Sequence, residues 1–174
     1  MKLDIQMFAG ETPTEIMAYD EARYIECGGL SGTSEIELMN VGFSQFDENS
    51  NPTEKSTQYI GDKSASNSVT GYDNQFDIES DRIMNDAVND YVYGVFYDRK
   101  TGSDAQTYLY LVDLKEPTNT DNVYKARKIK VAVVIESATN NPGENKVFSG
   151  ALKGVGDFTY GTFNTSTKEF TATV

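Results

Sequence analysis

The chain has 174 residues, of which 38% are hydrophobic, with a formal net charge of −12, no histidine and one cysteine. This length suits one domain with a sizeable core, and no apolar run approaches the roughly 18 residues that a membrane-spanning helix needs. The absence of histidine excludes Ser-His-Asp and Cys-His catalysis and histidine metal sites. A single Cys27 excludes an intrachain disulfide and fits synthesis in a reducing cytoplasm.

The charge is unevenly distributed along the chain. Residues 1–87 contain 17 acidic and 5 basic residues, whereas residues 88–174 contain 10 of each. A strongly acidic half argues against a protein that wraps DNA by neutralising its phosphates. It is compatible with a surface that repels DNA.

The first twelve residues read as an extended N-terminal arm (residues 1–12). Leu3, Ile5 and Met7 alternate with polar residues, which is typical of a strand or an extended segment. Asp4 and Gln6 interrupt the apolar stretch that a signal peptide requires. We therefore expect an ordered or partner-bound tail.

A half-buried strand is predicted over Ser34–Val41, where Ile36 and Leu38 share one face. The chain is then poor in aliphatic residues and rich in Ser, Asn, Thr, Gly and Asp over residues 42–72. We predict a long polar loop there. Structureless loops of this length are uncommon in compact domains and are usually functional, so we expect this one to contact partners.

A helix is predicted over residues 86–99. Its apolar residues recur at spacings of three and four, a pattern that forms one stripe on a helix but would split between the faces of a strand. The stripe consists of Val88, Tyr91, Val92, Val95 and Phe96.

The sequence also indicates where this helix begins and ends. Asn85 or Asp86 supplies an N-cap, and Gly102 is expected to stop the helix. Gly94 costs about 1 kcal/mol relative to alanine inside a helix, so the helix must be held by packing on a sheet. Asp90, Tyr93 and Tyr97 lie outside the stripe and are expected to be exposed.

The remaining segments read as strands separated by turns. Alternating or β-branched runs occupy about residues 72–83, 105–114, 123–137, 146–155, 157–163 and 168–174, and Pro142-Gly143 suits the centre of a type II turn. The predicted fold class is mainly β: an antiparallel β-sandwich or barrel with one flanking α-helix, in a single domain over residues 1–174.

Chemical motifs are absent or imperfect. Asp47, Asn49 and Asn51 begin like a calcium loop, but Pro52 stands where such a loop needs glycine. A basic cluster, made up of Lys125, Arg127, Lys128 and Lys130, could touch phosphate or form a solvated strand end or interface rim. We predict no catalytic residue, no cofactor and no metal site, and expect a protein that is not an enzyme.

The segment Ser56–Leu114 resembles the major tail (tail tube) proteins of long-tailed bacteriophages and prophages of Gram-positive bacteria. The resemblance lies in the motifs YIGD (59–62), VTGYDNQFDIE (69–79), NDAVNDYVY (85–93), KTGSDA (100–105) and YLYLVDL (108–114), with GDFTYGTFN (156–164) fitting the closing strands.

This resemblance implies a structural role. Such proteins form rings, usually hexameric, that stack around a tape measure protein, and the tube conducts DNA during ejection through an acidic lumen. Tail terminator and distal tail proteins would be further partners, DNA would pass without specific binding, and no membrane anchor is implied. Terminal arms and a long loop would contact neighbouring subunits, and the exposed Asp90, Tyr93 and Tyr97 of the helix would suit a subunit interface better than a substrate site. The expected location is the virion tail, after synthesis in the host bacterial cytoplasm.

Two other readings stay open. The opening MKLDIQMFAG is similar to the starts of phage major capsid proteins, so another virion protein (capsid, decoration or tail-completion protein) is an alternative. A carbohydrate-binding β-sandwich that uses surface tyrosines is a third.

Overall fold

The computed structural model describes residues 15–30 and 35–173. The N-terminal arm at residues 1–12 lies outside the described residues. The strands are β1 (Glu21–Cys27), β2 (Glu35–Leu38), β3 (Phe43–Asn49), β4 (Pro52–Thr57), β5 (Ser66–Tyr72), β6 (Gln75–Asp81), β7 (Gln106–Pro117), β8 (Val123–Thr139), β9 (Val147–Gly154), β10 (Thr159–Asn164) and β11 (Glu169–Ala172). The helix α1 spans Ala87–Tyr97, and short 3-10 helices span Ala18–Asp20 and Gly102–Ala105.

One antiparallel sheet organises the molecule. Its strand order is β2-β1-β7-β8-β9-β6-β3, and β10 branches off β8 to pair with β11. Strand β8 can serve three neighbours because it is 17 residues long: it pairs with β7 along one edge and with β10 and then β9 along the other. Strands make up 55% of the described residues, and there the curled sheet forms a half-barrel with one α-helix, which confirms the predicted fold class.

The main core fills the concave side of the sheet under α1. Alternation along the strands sends every second residue inward, and the fully buried side chains there include Ile25, Phe76, Leu109, Val131 and Phe148. From the helix, Val88, Val92 and Val95 join this core, as the spacing predicted.

A second, smaller core lies on the opposite face of β1 and β7. It contains Tyr24, Tyr110, Val112, Ala126 and Phe163. The Phe163 ring is 4.7 Å from that of Tyr24, and Lys168 in the β10–β11 turn pairs with Glu37 of β2 at 2.7 Å. The β10–β11 hairpin therefore covers this face, and β1 and β7 are buried on both sides.

The helix ends differently from the prediction. Asp86 is its N-cap and accepts a hydrogen bond from the Asn89 N–H (2.8 Å). The expected stop at Gly102 is wrong, because the helix closes earlier, at Arg99, whose φ of +54° is left-handed. The Lys100 N–H donates to the Val95 carbonyl (3.0 Å) and the Arg99 N–H to that of Phe96 (3.3 Å), the pattern of a Schellman motif.

The segment 42–72 contains three strands and is not a long irregular loop, so the predicted loop structure is wrong. Residues 43–49 form β3 at the edge of the main sheet, and β4 and β5 form a separate two-stranded hairpin. The sequence does not indicate β4 and β5 because most of their side chains are polar on both faces. The alternation of apolar and polar residues by which a strand is recognised is therefore missing. Whether the segment contacts partners stays a prediction.

Replacing Gly94 by alanine is expected to stabilise the protein. A Cβ at Gly94 would meet no atom within 4 Å, and the backbone there is helical. The gain should be about 0.5–1 kcal/mol, because glycine loses more conformational entropy than alanine on folding. Thermal unfolding of Gly94→Ala should show a midpoint raised by about 2–4 °C.

Gly150→Ala serves as the matched control for that experiment. A Cβ at Gly150 would overlap the Val134 carbonyl oxygen, so the same chemical change should destabilise the fold there. A Gly94→Ala midpoint at or below that of the parent chain would contradict the prediction.

Candidate assembly surfaces

The outer face of β6 carries a row of carboxylates. Phe76, Ile78 and Ser80 point into the core, so alternation turns Asp77, Glu79 and Asp81 to the opposite face. On the neighbouring edge strand β3, Asp47 lies directly opposite Asp77. We call Asp47, Asp77, Glu79 and Asp81 the acidic stripe.

The acidic stripe is held by amide donors and hydroxyls. Asp77 accepts hydrogen bonds from Asn49 Nδ2 (2.8 Å) and Gln75 Nε2 (2.6 Å), and Asp47 accepts one from Gln45 Nε2 (2.7 Å). Among the described residues no Lys or Arg forms an ion pair with the four stripe carboxylates. Like charges directly opposite each other on a sheet repel, and without an ion pair the four carboxylates make the surface at the stripe negative.

Small side chains surround the acidic stripe on the same face. Ser149 of β9 lies opposite Glu79 and shares a hydrogen bond with Ser137 of β8 (2.9 Å). Ala151 lies opposite Asp77. Between Ser149 and Ala151, Gly150 carries no side chain, and a Cβ there would clash with the backbone of β8. Lys153, opposite Gln75 on β9, lies on the same face and is exposed. This part of the sheet therefore has small side chains beside the stripe and is net negative, because four carboxylates outweigh this lysine.

The basic cluster does not form one patch. Strand alternation places Lys125 and Arg127 on one side of β8 and Lys128 and Lys130 on the other. Arg127 forms a two-pronged ion pair with Glu48 (2.7 and 2.6 Å), and the Lys128 ammonium lies 3.9 Å from the Tyr108 ring centre. The geometry does not support a continuous phosphate site.

The β4–β5 hairpin presents large exposed apolar groups. In the turn between the strands, Tyr59 is 73% exposed and Ile60 is fully exposed. The hairpin pairs with no strand of the main sheet, and Asn51 ties its base to the Asp73 carbonyl (3.1 Å). An isolated two-stranded hairpin is marginally stable in water, so this one is suited to contact with a partner.

The helix offers less interface than the sequence indicated. Tyr93 is not exposed: its hydroxyl accepts a hydrogen bond from Lys146 (2.6 Å) and its ring packs on Phe148. Asp90 is engaged by Arg82 at 2.6 Å. Asp90 and Tyr97 are nevertheless exposed, as expected, Tyr97 to 73%, so the expected exposure is wrong only for Tyr93.

Cys27 is shielded inside the fold. Burial, with smaller contributions from nearby carboxylates, raises the pKa of its thiol to about 12. A thiol with such a pKa is almost entirely protonated at neutral pH and a poor nucleophile. In the described part of the chain no three His, Cys, Asp or Glu side chains are grouped so as to hold a metal ion, and no helix is long and apolar enough to cross a membrane.

Comparison with known proteins finds a likeness to solved structures. No family model matches the sequence, and no curated protein does. Among solved structures, the chain is similar to one from the tail of an empty GTA particle determined with helical refinement and C6 symmetry. The two are 10% identical with a TM-score of 0.54, over 91% of this chain and 100% of the other. At this identity the likeness establishes a shared fold.

Proposed function

We propose that the protein is a structural subunit of a phage-like tail tube. The observation that carries the proposal is the shared fold: a chain of a polymerised tail matches over its whole length. The resemblance of Ser56–Leu114 to major tail proteins supports the same role from the sequence. The finer assignment to long-tailed phages or prophages of Gram-positive bacteria rests on that resemblance alone.

The proposed assembly is a stack of rings. The C6 symmetry of the similar tail makes six copies per ring the first expectation. In the proposed tail, the rings surround a tape measure protein and end at terminator and distal tail proteins. The protein acts as a non-enzymatic building block of the virion, synthesised in the host bacterial cytoplasm.

The acidic stripe is the surface that we assign to the lumen of the tube. A negative, smooth face repels the phosphate backbone, so DNA moves through without binding. The face built from the stripe and its small neighbours combines both properties, and repetition around a ring would multiply the field. With this face toward the lumen, the core and α1 on the opposite face of the sheet would point away from the DNA.

Electron microscopy of the purified protein over a concentration series tests the proposal. Rings or hollow tubes are the expected result, while closed shells would favour a capsid-type protein instead. A chain that stays monomeric at high concentration, also with a tail-initiating complex, and binds glycans would overturn the proposal in favour of a carbohydrate-binding module.

The exposed tip of the β4–β5 hairpin is expected to drive this assembly. Replacing Tyr59 and Ile60 by serine should leave the unfolding midpoint of the subunit almost unchanged, because both side chains are already in water. If they are buried between subunits, the critical concentration for assembly should rise at least about tenfold, since each buried apolar side chain contributes about 1.5–3 kcal/mol. Light scattering against concentration measures this.

Lys63→Ser in the same exposed turn is the control, because it removes a charge but no apolar contact. If the Tyr59→Ser/Ile60→Ser variant assembles at the same critical concentration as the wild-type protein, the hairpin tip lies outside the contacts between subunits.

A further inference from the structure

A groove runs between the C-terminal end of α1 and one edge of β8. Val95 and Phe96 line it from the helix and residues 132–135 from the strand, with Arg99 and Lys100 at its rim. Phe96 is half-buried, and so are Val134 and Ile135. The groove is therefore apolar along its length and basic at its margin.

The strand edge in this groove has no partner strand among the described residues. Pairing between β7 and β8 stops at Gln106 opposite Ala132, whereas β8 continues to Thr139. Along residues 133–139, β9 occupies only the other edge. A free strand edge with aliphatic side chains is a template for another strand.

We propose that this groove receives residues 2–8 of a second copy of the chain as an added strand. These residues lie outside the described part of the structure, but their sequence suits the groove. In an added strand Leu3, Ile5 and Met7 share one face, which would lie on the apolar floor. Lys2, Asp4 and Gln6 alternate with them and project to the opposite face of the sheet, away from α1.

The path of the chain favours a second copy over the same molecule. The arm joins the described residues at Glu15, just before β1, whose first residue pairs with Asp113. The groove lies at the other end of β7, next to Gln106. About seven residues of strand, roughly 23 Å, separate these ends. An arm leaving one end and a groove opening at the other make a head-to-tail contact, which propagates from copy to copy as an open stack.

This inference rests on the proposed self-assembly and names the surface that receives the arm. Hydrogen exchange of the full-length protein tests it. In assembled protein, alternate amides over residues 133–139 should exchange at least about tenfold more slowly than in dilute monomer, since each would bond to the added strand. The variant Leu3→Ser/Ile5→Ser/Met7→Ser should lose this protection, whereas Lys2→Ser/Asp4→Ser/Gln6→Ser should retain most of it.

A peptide experiment separates failure of this inference from failure of the proposed function. A synthetic peptide of residues 2–10, added to the dilute Leu3/Ile5/Met7 variant, should protect the same amides without any assembly. If the protein forms tubes but neither the arm nor the peptide protects residues 133–139, the arm binds elsewhere and only this inference falls. If residues 133–139 are equally protected in wild-type protein at every concentration, the arm lies in the groove of its own chain, and the proposal of a second copy is wrong.

Discussion

Replacing Asn89 by alanine is expected to lower the free energy of unfolding by about 2–4 kcal/mol, because it leaves several buried polar groups without partners. Asn89 is completely buried beneath the first turn of α1. Its amide donates to Ser80 Oγ (2.9 Å) and to the Asp81 carbonyl (2.8 Å), and its Oδ1 accepts from the Ile83 N–H (3.1 Å).

These bonds connect three parts of the molecule. Ser80 and Asp81 end β6, Ile83 belongs to the link that follows, and the asparagine itself sits on the helix. Arg82 adds a further hydrogen bond to Asn89 Oδ1 (3.1 Å). One side chain thus sets the position of α1 relative to the β6 edge of the sheet. Its loss should loosen the helix as well as weaken the fold.

Denaturant unfolding followed by circular dichroism measures this change. Asn145→Ala is the control, since Asn145 is exposed and its one side-chain bond, to Asp81 Oδ2, is long at 3.3 Å. We expect the control to change the free energy of unfolding by less than about 0.5–1 kcal/mol. An Asn89→Ala protein as stable as the control would show that water replaces the amide.

The sequence located α1 well because the helix obeys two local rules. Its apolar stripe follows the period of 3.6 residues and meets the core at Val88, Val92 and Val95. Its N-cap, Asp86, precedes the first turn as capping requires. The predicted span of 86–99 and the observed Ala87–Tyr97 differ only at the ends, where fraying and caps decide.

Long-range pairing explains what the sequence could not reveal. Asn89 looked like a polar residue beside the apolar stripe, and only the approach of Ser80 and Asp81 makes it a buried anchor. The acidic stripe was invisible for the same reason, because Asp47 and Asp77 are 30 positions apart and meet only through the β3–β6 register. Composition located the charge in the first half of the chain, but it could not show which carboxylates share a face.

The basic cluster and the Arg99 turn were misjudged for different reasons. Lys125, Arg127, Lys128 and Lys130 are neighbours in sequence, but a strand sends successive side chains to opposite faces. Arg99 takes a left-handed conformation that glycine adopts more readily, which is why Gly102 was predicted to end the helix. Local patterns thus fail where alternation splits a cluster or packing imposes an unfavourable φ.

Reversing charge on the acidic stripe is expected to make the proposed tube bind DNA, which the wild-type stripe should repel. The variant Asp77→Lys/Glu79→Lys changes the charge by about four units per subunit, or about 24 in a ring of six, which is a large change beside the phosphates of a threaded duplex. Both side chains point away from the core and neither pairs with a Lys or Arg in the described residues, so we expect the subunit to fold.

Fluorescence anisotropy with short duplex DNA and purified assemblies measures the effect. Wild-type assemblies should show no binding at 50 mM salt, whereas those of the variant should bind, with an affinity that falls steeply as salt rises because counterions compete for the phosphates. In particles, the same change should slow DNA ejection at low ionic strength and restore it partly at high ionic strength.

The control variant carries the same change in net charge elsewhere. Asp121 is exposed in the β7–β8 turn and Glu169 is exposed on β11, which pairs with β10 and not with β3, β6 or β9, so Asp121→Lys/Glu169→Lys alters total charge without altering the proposed lumen. If lumen position matters, DNA should bind the stripe variant much more tightly than this control, and blocking the tube ends should prevent it. Equal binding by both variants would assign the effect to net charge and contradict the placement of the stripe, because a lumen repels DNA only through the charges that face it.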